Sequence, residues 1–396
     1  MKTNLAVFFG GRSVEHEVSI ISAVQAMNAL DREKYNVIPV YITKDAEMYT
    51  GPMLFFIENY RNMPYLLNVC NRVSIVRDGA YVVMKHLNNR IFAKRKDVIL
   101  DVALPIVHGT NCEDGAIAGF FELLGLPYVG CDIISASVGM DKAIYKDVLK
   151  CAGLPVLPCF KFTSREYSQD RDKIVETILN EFSLPVIIKP VNLGSSVGIS
   201  KADTKEELID AIDLAVKFSD LVLAERAITS LREINCSVLG DRNSCEASVC
   251  EEPIMHDKIL SYKDKYEGDS KSKGMASLSR KIPAELDRDT TEKIRTLSCE
   301  IFKALGCSGV VRIDYLLDTS TGEVFANEIN TIPGSLSFYL WDASGVKYSE
   351  LLDRLIELAF KRQRNRDNLT FTIPTNILSG VSFGAKGTKG AKGSKF

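Results

Sequence analysis

The stretch that decides the fold is VVRIDYLLDTSTGEVFANEINTIPG, residues 310–334. Apolar and polar residues alternate over Val310–Leu317 and again over Glu323–Asn330, which predicts two strands. Residues 318–322 (DTSTG) have the composition of a turn, so the two strands should pair as a hairpin. Successive strand residues point to opposite faces, and this hairpin can therefore gather Asp, Glu, Asn and Arg side chains on one face.

Three of those side chains carry oxygen donors that suit a hard cation. Asp314, Glu328 and Asn330 would leave coordination positions for water and phosphate oxygens, as Mg²⁺ sites in proteins commonly do. On this stretch alone, a half-exposed hairpin with ordinary surface charges predicts the same residues. The choice between the two interpretations depends on the rest of the chain.

Length and composition indicate an ordinary globular protein. A chain of 396 residues predicts two or three domains, and net charge −2 gives no electrostatic footprint for nucleic acid. No apolar run reaches membrane-spanning length, and the start becomes glycine-rich too early for a signal peptide, which predicts a cytoplasmic protein. Ten cysteines without zinc spacing predict reduced thiols.

The N-terminal region has the order of a doubly wound α/β fold. We expect a strand at Leu5–Phe9, a glycine turn at 10–13, a helix at 17–30 and a strand at Val37–Ile42. The turn lies at the carboxyl end of a strand, where such folds bind ligands. Glu15, directly after it, either holds a ligand amine or stabilises the first helical turn through the helix dipole.

A second strand–loop–helix unit follows. We expect a buried strand at Asp101–Val107, a loop over 108–115 (HGTNCEDG) and a helix at Ala116–Leu124. The loop combines glycines with His, Glu and Asp side chains, which is typical of the ligand side of an α/β sheet, although a solvated loop can have the same composition.

The middle of the chain contains a candidate phosphate site. After a single predicted helix at Ser135–Ala152, a strand at Leu184–Lys189 ends in lysine and meets a Gly/Ser loop over 190–199. Backbone N–H groups and hydroxyls in such a loop can bind phosphate, although the usual P-loop spacing is absent. Leu221–Glu225 is a further strand that ends in an acid, and residues 261–276 form either a solvated loop or a mobile lid.

Taken together, these stretches resemble the D-alanine–D-alanine ligase family of the ATP-grasp superfamily. Seven motifs carry the resemblance in this order: FFGGRSVEHEVS, HGTNCEDGAIAGFFELLGLPYVG, MDKAIYK, IIKPVNLGSSVGISK, KGMASLSRKIPA, VVRIDY and NEINTIPGSLSFYLW. The resemblance implies an α/β fold of three domains. They would be an N-terminal substrate domain at 1–137, a central ATP-grasp subdomain at 138–228, and a C-terminal ATP-grasp subdomain at 229–366 with a lid loop at 259–281. Composition, and not the resemblance, predicts a disordered tail at 367–396, because the glycine–lysine triplets over 384–395 contain no proline and are too few for a triple helix.

The resemblance also implies roles for individual residues. The nucleotide would contact Lys142, Lys189, Ser195, Ser196, Glu225, Arg226, Glu233 and Lys265. Two Mg²⁺ ions, for which Mn²⁺ can substitute, would be held by Asp314, Glu328 and Asn330. The catalytic residues would be Glu15, Ser195, Tyr266, Arg312 and Gly334. Substrate would also contact His108, Glu113, Tyr339 and Leu340.

The implied reaction joins two D-alanines at the expense of ATP, through a D-alanyl phosphate, for peptidoglycan precursors. A homodimer with no nucleic-acid partner and no membrane span is expected. Three stretches depart from the family pattern: Cys112 in the second loop, Arg226 where lysine is usual, and the pair Tyr339-Leu340 beside the acceptor. The last departure keeps D-serine open as the second substrate. A nucleotide-binding protein without catalytic activity is the further alternative.

Overall fold

The structure is a computed structural model. It describes residues 2–87, 96–194, 197–254, 280–373 and 375–376, and its strands form three separate sheets. None of the helices in these ranges is long and apolar enough to span a bilayer.

The first sheet is built from the N-terminal part of the chain. Its strands are β1 (Thr3–Gly10), β2 (Tyr35–Ile42), β3 (Met48–Thr50), β4 (Asn71–Asp78), β5 (Tyr81–His86), β6 (Val98–Leu100) and β7 (Val102–Val107), in the order β6-β5-β4-β3-β2-β1-β7. Helices α1 (His16–Ala29), α2 (Met63–Val69) and α3 (Ala116–Leu124) accompany it. Strand β1 pairs in parallel with β2 and β7, which confirms the doubly wound start, whereas β2 to β6 are joined by antiparallel pairs.

The second sheet has four antiparallel strands. They are β8 (Cys159–Thr163), β9 (Val186–Pro190), β10 (Ser200–Ala202) and β11 (Leu221–Arg226), in the order β10-β9-β11-β8. Helices α6 (Ser164–Gln169), α7 (Arg171–Glu181) and α8 (Lys205–Ala215) belong to this region. A buried cluster that includes Ile178, Ile188 and Ile212 joins α7 and α8 to one face of the sheet, because apolar side chains alternate along β9 and β11.

The third sheet contains the hairpin predicted from the sequence. Its strands are β12 (Leu231–Gly240), β13 (Cys245–Pro253), β14 (Arg280–Lys281), β15 (Gly309–Asp318) and β16 (Glu323–Asn330), in the order β14-β13-β12-β15-β16. Helices α9 (Arg288–Ala304), α10 (Phe338–Ala343) and α11 (Tyr348–Asp367) belong to this part of the chain. Helix α9 packs its buried Ile294, Ile301 and Phe302 on the sheet.

One predicted helix is wrong. The segment Ser135–Ala152 forms two helices, α4 (Ile133–Met140) and α5 (Lys142–Cys151), which are separated at Asp141. The backbone of Asp141 is extended, with φ −91° and ψ 102°, and its carboxylate accepts the N–H groups of Ala143 and Ile144 at 3.0 and 2.9 Å. An aspartate that caps a helix in this way starts a new helix, which apolar periodicity alone does not reveal.

The structure does not test the predicted domain boundaries, which stay predictions. Most of the predicted tail lies outside the described residues.

Candidate active site

The hairpin of β15 and β16 brings together the predicted cation ligands. Asp314 lies directly opposite Glu328, and Arg312 lies opposite Asn330. The Arg312 guanidinium donates to both Asp314 oxygens, from Nε at 2.7 Å and from Nη2 at 2.8 Å, and Asn330 Nδ2 donates to Asp314 Oδ2 at 3.2 Å. The four side chains therefore form one polar patch, as the strand pattern predicted.

The donor set in this patch fits a hard cation that shares its ligands with a bound anion. In the described ranges, no three His, Cys, Asp or Glu side chains form a metal-binding group by themselves. Two carboxylates and an amide leave room for phosphate and water oxygens, as Mg²⁺ requires. The buried hydroxyl of Tyr145 has no hydrogen-bond partner among the residues that the structure describes, so this region has unused hydrogen-bonding capacity. Burial, and then the charges of the nearby Asp314 and Glu328, raise the pKa of that hydroxyl.

Two predicted lysines approach the same hairpin from the second sheet and from α5. Lys142, the first residue of α5, has its Nζ 3.4 Å from Glu328 Oε2 and donates to the Leu193 carbonyl at 2.8 Å. Lys189, near the end of β9, donates to Asn327 Oδ1 at 2.9 Å. Both lysines are buried, so their charges lie in a region of weakened solvent screening next to the candidate metal ligands.

Glu225 on β11 forms ion pairs with two lysines. Lys189 contacts one carboxylate oxygen, and Lys146 Nζ lies 2.8 Å from the other. Burial alone would raise the pKa of Glu225, but the two ammonium groups outweigh burial and lower its pKa to about 2. The sequence had not singled out Lys146. The available signal was its position four residues after Lys142, on the same face of a helix.

The other predicted nucleotide contacts are placed less closely together. Arg226 follows Glu225 but pairs with Asp318 at 3.5 Å, and its guanidinium lies 5.5 Å from the Phe325 ring centre. Glu233 lies on β12, opposite Leu316. The predicted residues Ser195, Ser196, Lys265 and Tyr266 lie outside the described residues.

The loops of the first sheet form the opposite wall of the site. A small cleft is lined by Glu15, Glu113, Lys142, Glu328 and Asn330, among other residues. The cleft lies between the segment just before α1, the loop over 108–115 and the β15–β16 hairpin. The cleft therefore places a candidate amine-binding carboxylate, Glu15, within the same site as the candidate phosphate-binding Lys142 and the candidate metal ligands.

Glycine backbone packs tightly around Glu15. A Cβ on Gly109 would lie 3.0 Å from Glu15 Oε2, and one on Gly194 would lie 3.3 Å from the same oxygen. Gly109 also has φ +77°, a conformation that other residues rarely adopt. Both glycines thus allow close backbone approach to the carboxylate.

Glu113 and His108 connect this loop to the segment after the hairpin. Glu113 accepts the N–H groups of Gly109 at 2.8 Å and Ile332 at 3.0 Å. Burial, and then the nearby charge of Glu15, raises the pKa of Glu113 to about 8. His108 Nδ1 lies 2.9 Å from the Ile332 carbonyl, so Nδ1 carries the proton, and burial lowers the pKa of its ring.

Gly334 opens a turn with a rare backbone conformation. Ser335, Leu336 and Ser337 all have positive φ, at 50°, 54° and 51°. Such a conformation costs about 1–2 kcal/mol for each residue. Ser335 is hydrogen-bonded to α1, because its N–H donates to Ser22 Oγ at 3.0 Å and its hydroxyl donates to Gln25 Oε1 at 2.6 Å. The turn is therefore held by contacts with the first sheet's helix.

Tyr339 belongs to a network next to Arg312. Its hydroxyl donates to Glu251 Oε2 at 3.0 Å, and the guanidinium of Arg280 lies 4.5 Å from the ring centre while pairing with Glu251 at 3.1 Å. Burial, followed by the charge of Glu251, raises the pKa of Tyr339 to about 12. The neighbouring Leu340 is fully buried.

The Cys112 thiol is a poor nucleophile. Cys112 is buried, and burial together with the charges of Glu113 and Asp114 raises its pKa to about 12. Its Sγ would lie 2.7 Å from a Cβ on Gly11. The thiol thus fills the space beside a glycine of the first loop.

Comparisons with known proteins identify the family. Residues 4–131 match the family model described as D-ala D-ala ligase N-terminus, and residues 148–357 match D-ala D-ala ligase C-terminus. A D-alanine–D-alanine ligase of Natranaerobius thermophilus is 41% identical over 372 residues, which cover 92% of this chain and 97% of that protein.

Solved structures agree with this assignment. The structure of the D-alanine-D-alanine ligase from Coxiella burnetii has a TM-score of 0.78 and 30% identity, over 92% of this chain and 96% of that one. VanG D-Ala:D-Ser ligase from Enterococcus faecalis has a TM-score of 0.75 and 32% identity, over 91% and 100%. The TM-scores and identities of these two structures are similar and do not single out the D-serine branch. The chain belongs to the D-alanine–D-alanine ligase family, which confirms the predicted ATP-grasp fold.

Proposed function

We propose that this protein joins two D-alanines with ATP, through a D-alanyl phosphate, to make a peptidoglycan precursor. One observation carries the proposal. Asp314 and Glu328 lie in register on one hairpin, and Lys142 and Lys189 both reach that hairpin. Lys142 and Glu328 also line the cleft that contains Glu15. Curated relatives that cover nearly the whole chain are named D-alanine–D-alanine ligases, which supports this choice of substrates.

Phosphoryl transfer depends mainly on positioning and charge neutralisation, and the residues present suit both tasks. Lys142 and Lys189 would bind the nucleotide phosphates. Asp314, Glu328 and Asn330 would hold two Mg²⁺ ions, which would neutralise phosphate charge. Glu225, Arg226 and Glu233 would contact the adenosine part, with Ser195, Ser196 and Lys265 completing the nucleotide site.

The first D-alanine would bind at the opposite wall. Glu15 would hold its ammonium group, with His108 and Glu113 beside it. Because His108 presents Nδ1–H to the Ile332 carbonyl, it fixes the segment between Asn330 and Gly334 and thus the approach to the candidate oxyanion site.

Attack by the second amino acid builds a tetrahedral oxyanion. Arg312 and the Gly334 N–H would donate to it, and losing one such donor costs about 10²–10³ in rate. The acceptor would lie near Tyr339 and Leu340, with Tyr266 nearby. Because the Tyr339 hydroxyl is already hydrogen-bonded to Glu251, the tyrosine would act chiefly by shaping the acceptor pocket.

The test is phosphate release from ATP and Mg²⁺ with D-alanine as sole amino acid, followed by mass analysis of the product. We expect phosphate release and D-alanyl-D-alanine. A mixed D-alanyl-D-serine product that dominates when D-serine is supplied equally would instead identify a D-serine ligase. The predicted homodimer stays a prediction.

A further inference from the structure

A buried chain of ionic side chains lies behind the lysine that faces the phosphate site. Lys146 is 3% exposed, Glu225 1% and Lys189 6%. Lys146 Nζ lies 2.8 Å from Glu225 Oε2 and donates to the Leu157 carbonyl at 3.0 Å. Glu225 then pairs through its other oxygen with Lys189.

The charges of these three buried side chains do not cancel. The low pKa of Glu225 keeps it ionised, so one carboxylate is shared by two ammonium groups and the buried group carries a net positive charge. A buried charge without compensation is costly. The surplus positive charge therefore favours binding of an anion next to Lys189. Of the two lysines that pair with Glu225, Lys189 is the one that contacts the hairpin.

The β15–β16 hairpin has a bulge that supplies the other partner of Lys189. The strand register shifts between Asp314 and Tyr315, so that Asp314 opposes Glu328 while Tyr315 opposes Ala326, and Asn327 is the additional residue. Its Oδ1 accepts from Lys189 at 2.9 Å. The ionic chain thus runs from α5 through β11 and β9 to the residue beside a candidate metal ligand.

Lys146 has its own place in this arrangement. Without its charge, Glu225 would be paired with Lys189 alone and would neutralise the ammonium group that is needed for phosphate. We propose that Lys146 is a positioning residue of the nucleotide site, which competes for Glu225 and so leaves Lys189 cationic toward the polyphosphate. This role rests on the proposed function, since that function supplies the anion.

The test compares three substitutions of Lys146 in the full chain. Lys146→Met removes the charge and the donors, Lys146→Gln keeps donors without charge, and Lys146→Arg keeps the charge. Lys150→Met makes the same change at an exposed position of the same helix and serves as the control. Binding of a non-hydrolysable ATP analogue with Mg²⁺ is measured by calorimetry, together with KM for ATP and for D-alanine.

We expect Lys146→Met and Lys146→Gln to weaken analogue binding by about 10-fold to 100-fold, the range seen when a residue that orients a ligand-binding group is lost. KM for D-alanine should stay near the parent value, Lys146→Arg should recover most of the affinity, and Lys150→Met should match the parent. If Lys146→Met fails to fold, Lys146→Gln decides the question.

A double substitution tests whether Lys146 acts through Glu225. If it does, Lys146→Gln should weaken analogue binding little further in a Glu225→Gln background. Fully additive losses, equal increases in both KM values, or unchanged binding in Lys146→Gln would each overturn the role. A parent that binds the analogue yet releases no phosphate with D-alanine would contradict the proposed function alone, because the binding measurements would still decide the role of Lys146.

Discussion

Replacing Glu328 with glutamine removes one charge from the candidate metal site and changes the side-chain volume little. Glu328 lies opposite Asp314, and its Oε2 is 3.4 Å from Lys142 Nζ. Its side chain is a quarter exposed, so the substitution should leave the fold intact. The main expected effect is therefore on catalysis.

The size of that effect follows from the charge. Two unit charges about 4 Å apart interact by about 4 kcal/mol at the effective dielectric of a protein surface. A carboxylate that contacts a cation and loses its charge forfeits an interaction of that order, which corresponds to about a thousandfold in rate. We expect Glu328→Gln to lower ATP turnover by about this factor.

The assay is ADP release with saturating ATP, Mg²⁺ and D-alanine, together with thermal unfolding of each variant. Glu323→Gln is the matched control, because Glu323 begins the same strand but is exposed. It lies opposite Asp318 in the strand register, at the far end of the hairpin. The control should keep parental turnover. If folded Glu328→Gln also kept turnover close to that of the parent, the assignment of the hairpin as the metal site would be refuted.

Three further predictions concern pH, the acceptor and a helix cap. Because the pKa of Glu113 is raised from 4.5 to about 8, the folded chain holds a proton there that the unfolded chain releases, so stability should fall as pH rises through that window. The free energy of unfolding, measured with urea at pH 4.5 and at about pH 8, should fall less for Glu113→Gln than for the parent, by a few kcal/mol. An equal fall in both proteins would contradict a buried neutral carboxyl at Glu113. Tyr339→Phe removes the hydrogen bond to Glu251 and should change KM for the second amino acid and the D-alanine to D-serine product ratio while KM for ATP stays constant; a change confined to KM for ATP would rule out the acceptor assignment. Asp141→Ala removes the cap of α5 and should lower the free energy of unfolding by about 1 kcal/mol and raise KM for ATP. Thr204→Ala, which removes the cap of α8, should lower stability by a similar amount without raising KM for ATP. Equal KM values for the two variants would show that the α5 cap does not position Lys142.

Local sequence patterns predicted most of the elements that build the site. The alternation in residues 310–330 predicted both strands of the hairpin and the shared face of Asp314 and Glu328, because strand side chains alternate with period two. The helix at Ala116–Leu124 was predicted with its observed bounds, since glycines flank it at Gly115 and Gly125.

Contacts between distant segments could not be predicted in the same way. The ion pairs of Glu225 join residues from β9, β11 and α5, and nothing in any one of these segments shows that the others lie beside it. The bulge that directs Asn327 toward Lys189 also interrupts a regular alternation without a glycine to mark it.

Backbone exceptions were also missing from the sequence prediction. Ser335, Leu336 and Ser337 have positive φ although none is glycine, and contacts with α1 stabilise the first of them. The break at Asp141 divides a helix where the apolar pattern continues on both sides. In both places tertiary contacts or a single capping side chain decide the backbone, and apolar periodicity does not report them.

The most direct test of the central claim is ATP-dependent phosphate release with D-alanine as the sole amino acid, with the product identified by mass. We expect stoichiometric release of phosphate and formation of D-alanyl-D-alanine, both lost in Glu328→Gln. Phosphate release without any dipeptide, or no release at all from folded protein that binds ATP, would contradict the central claim.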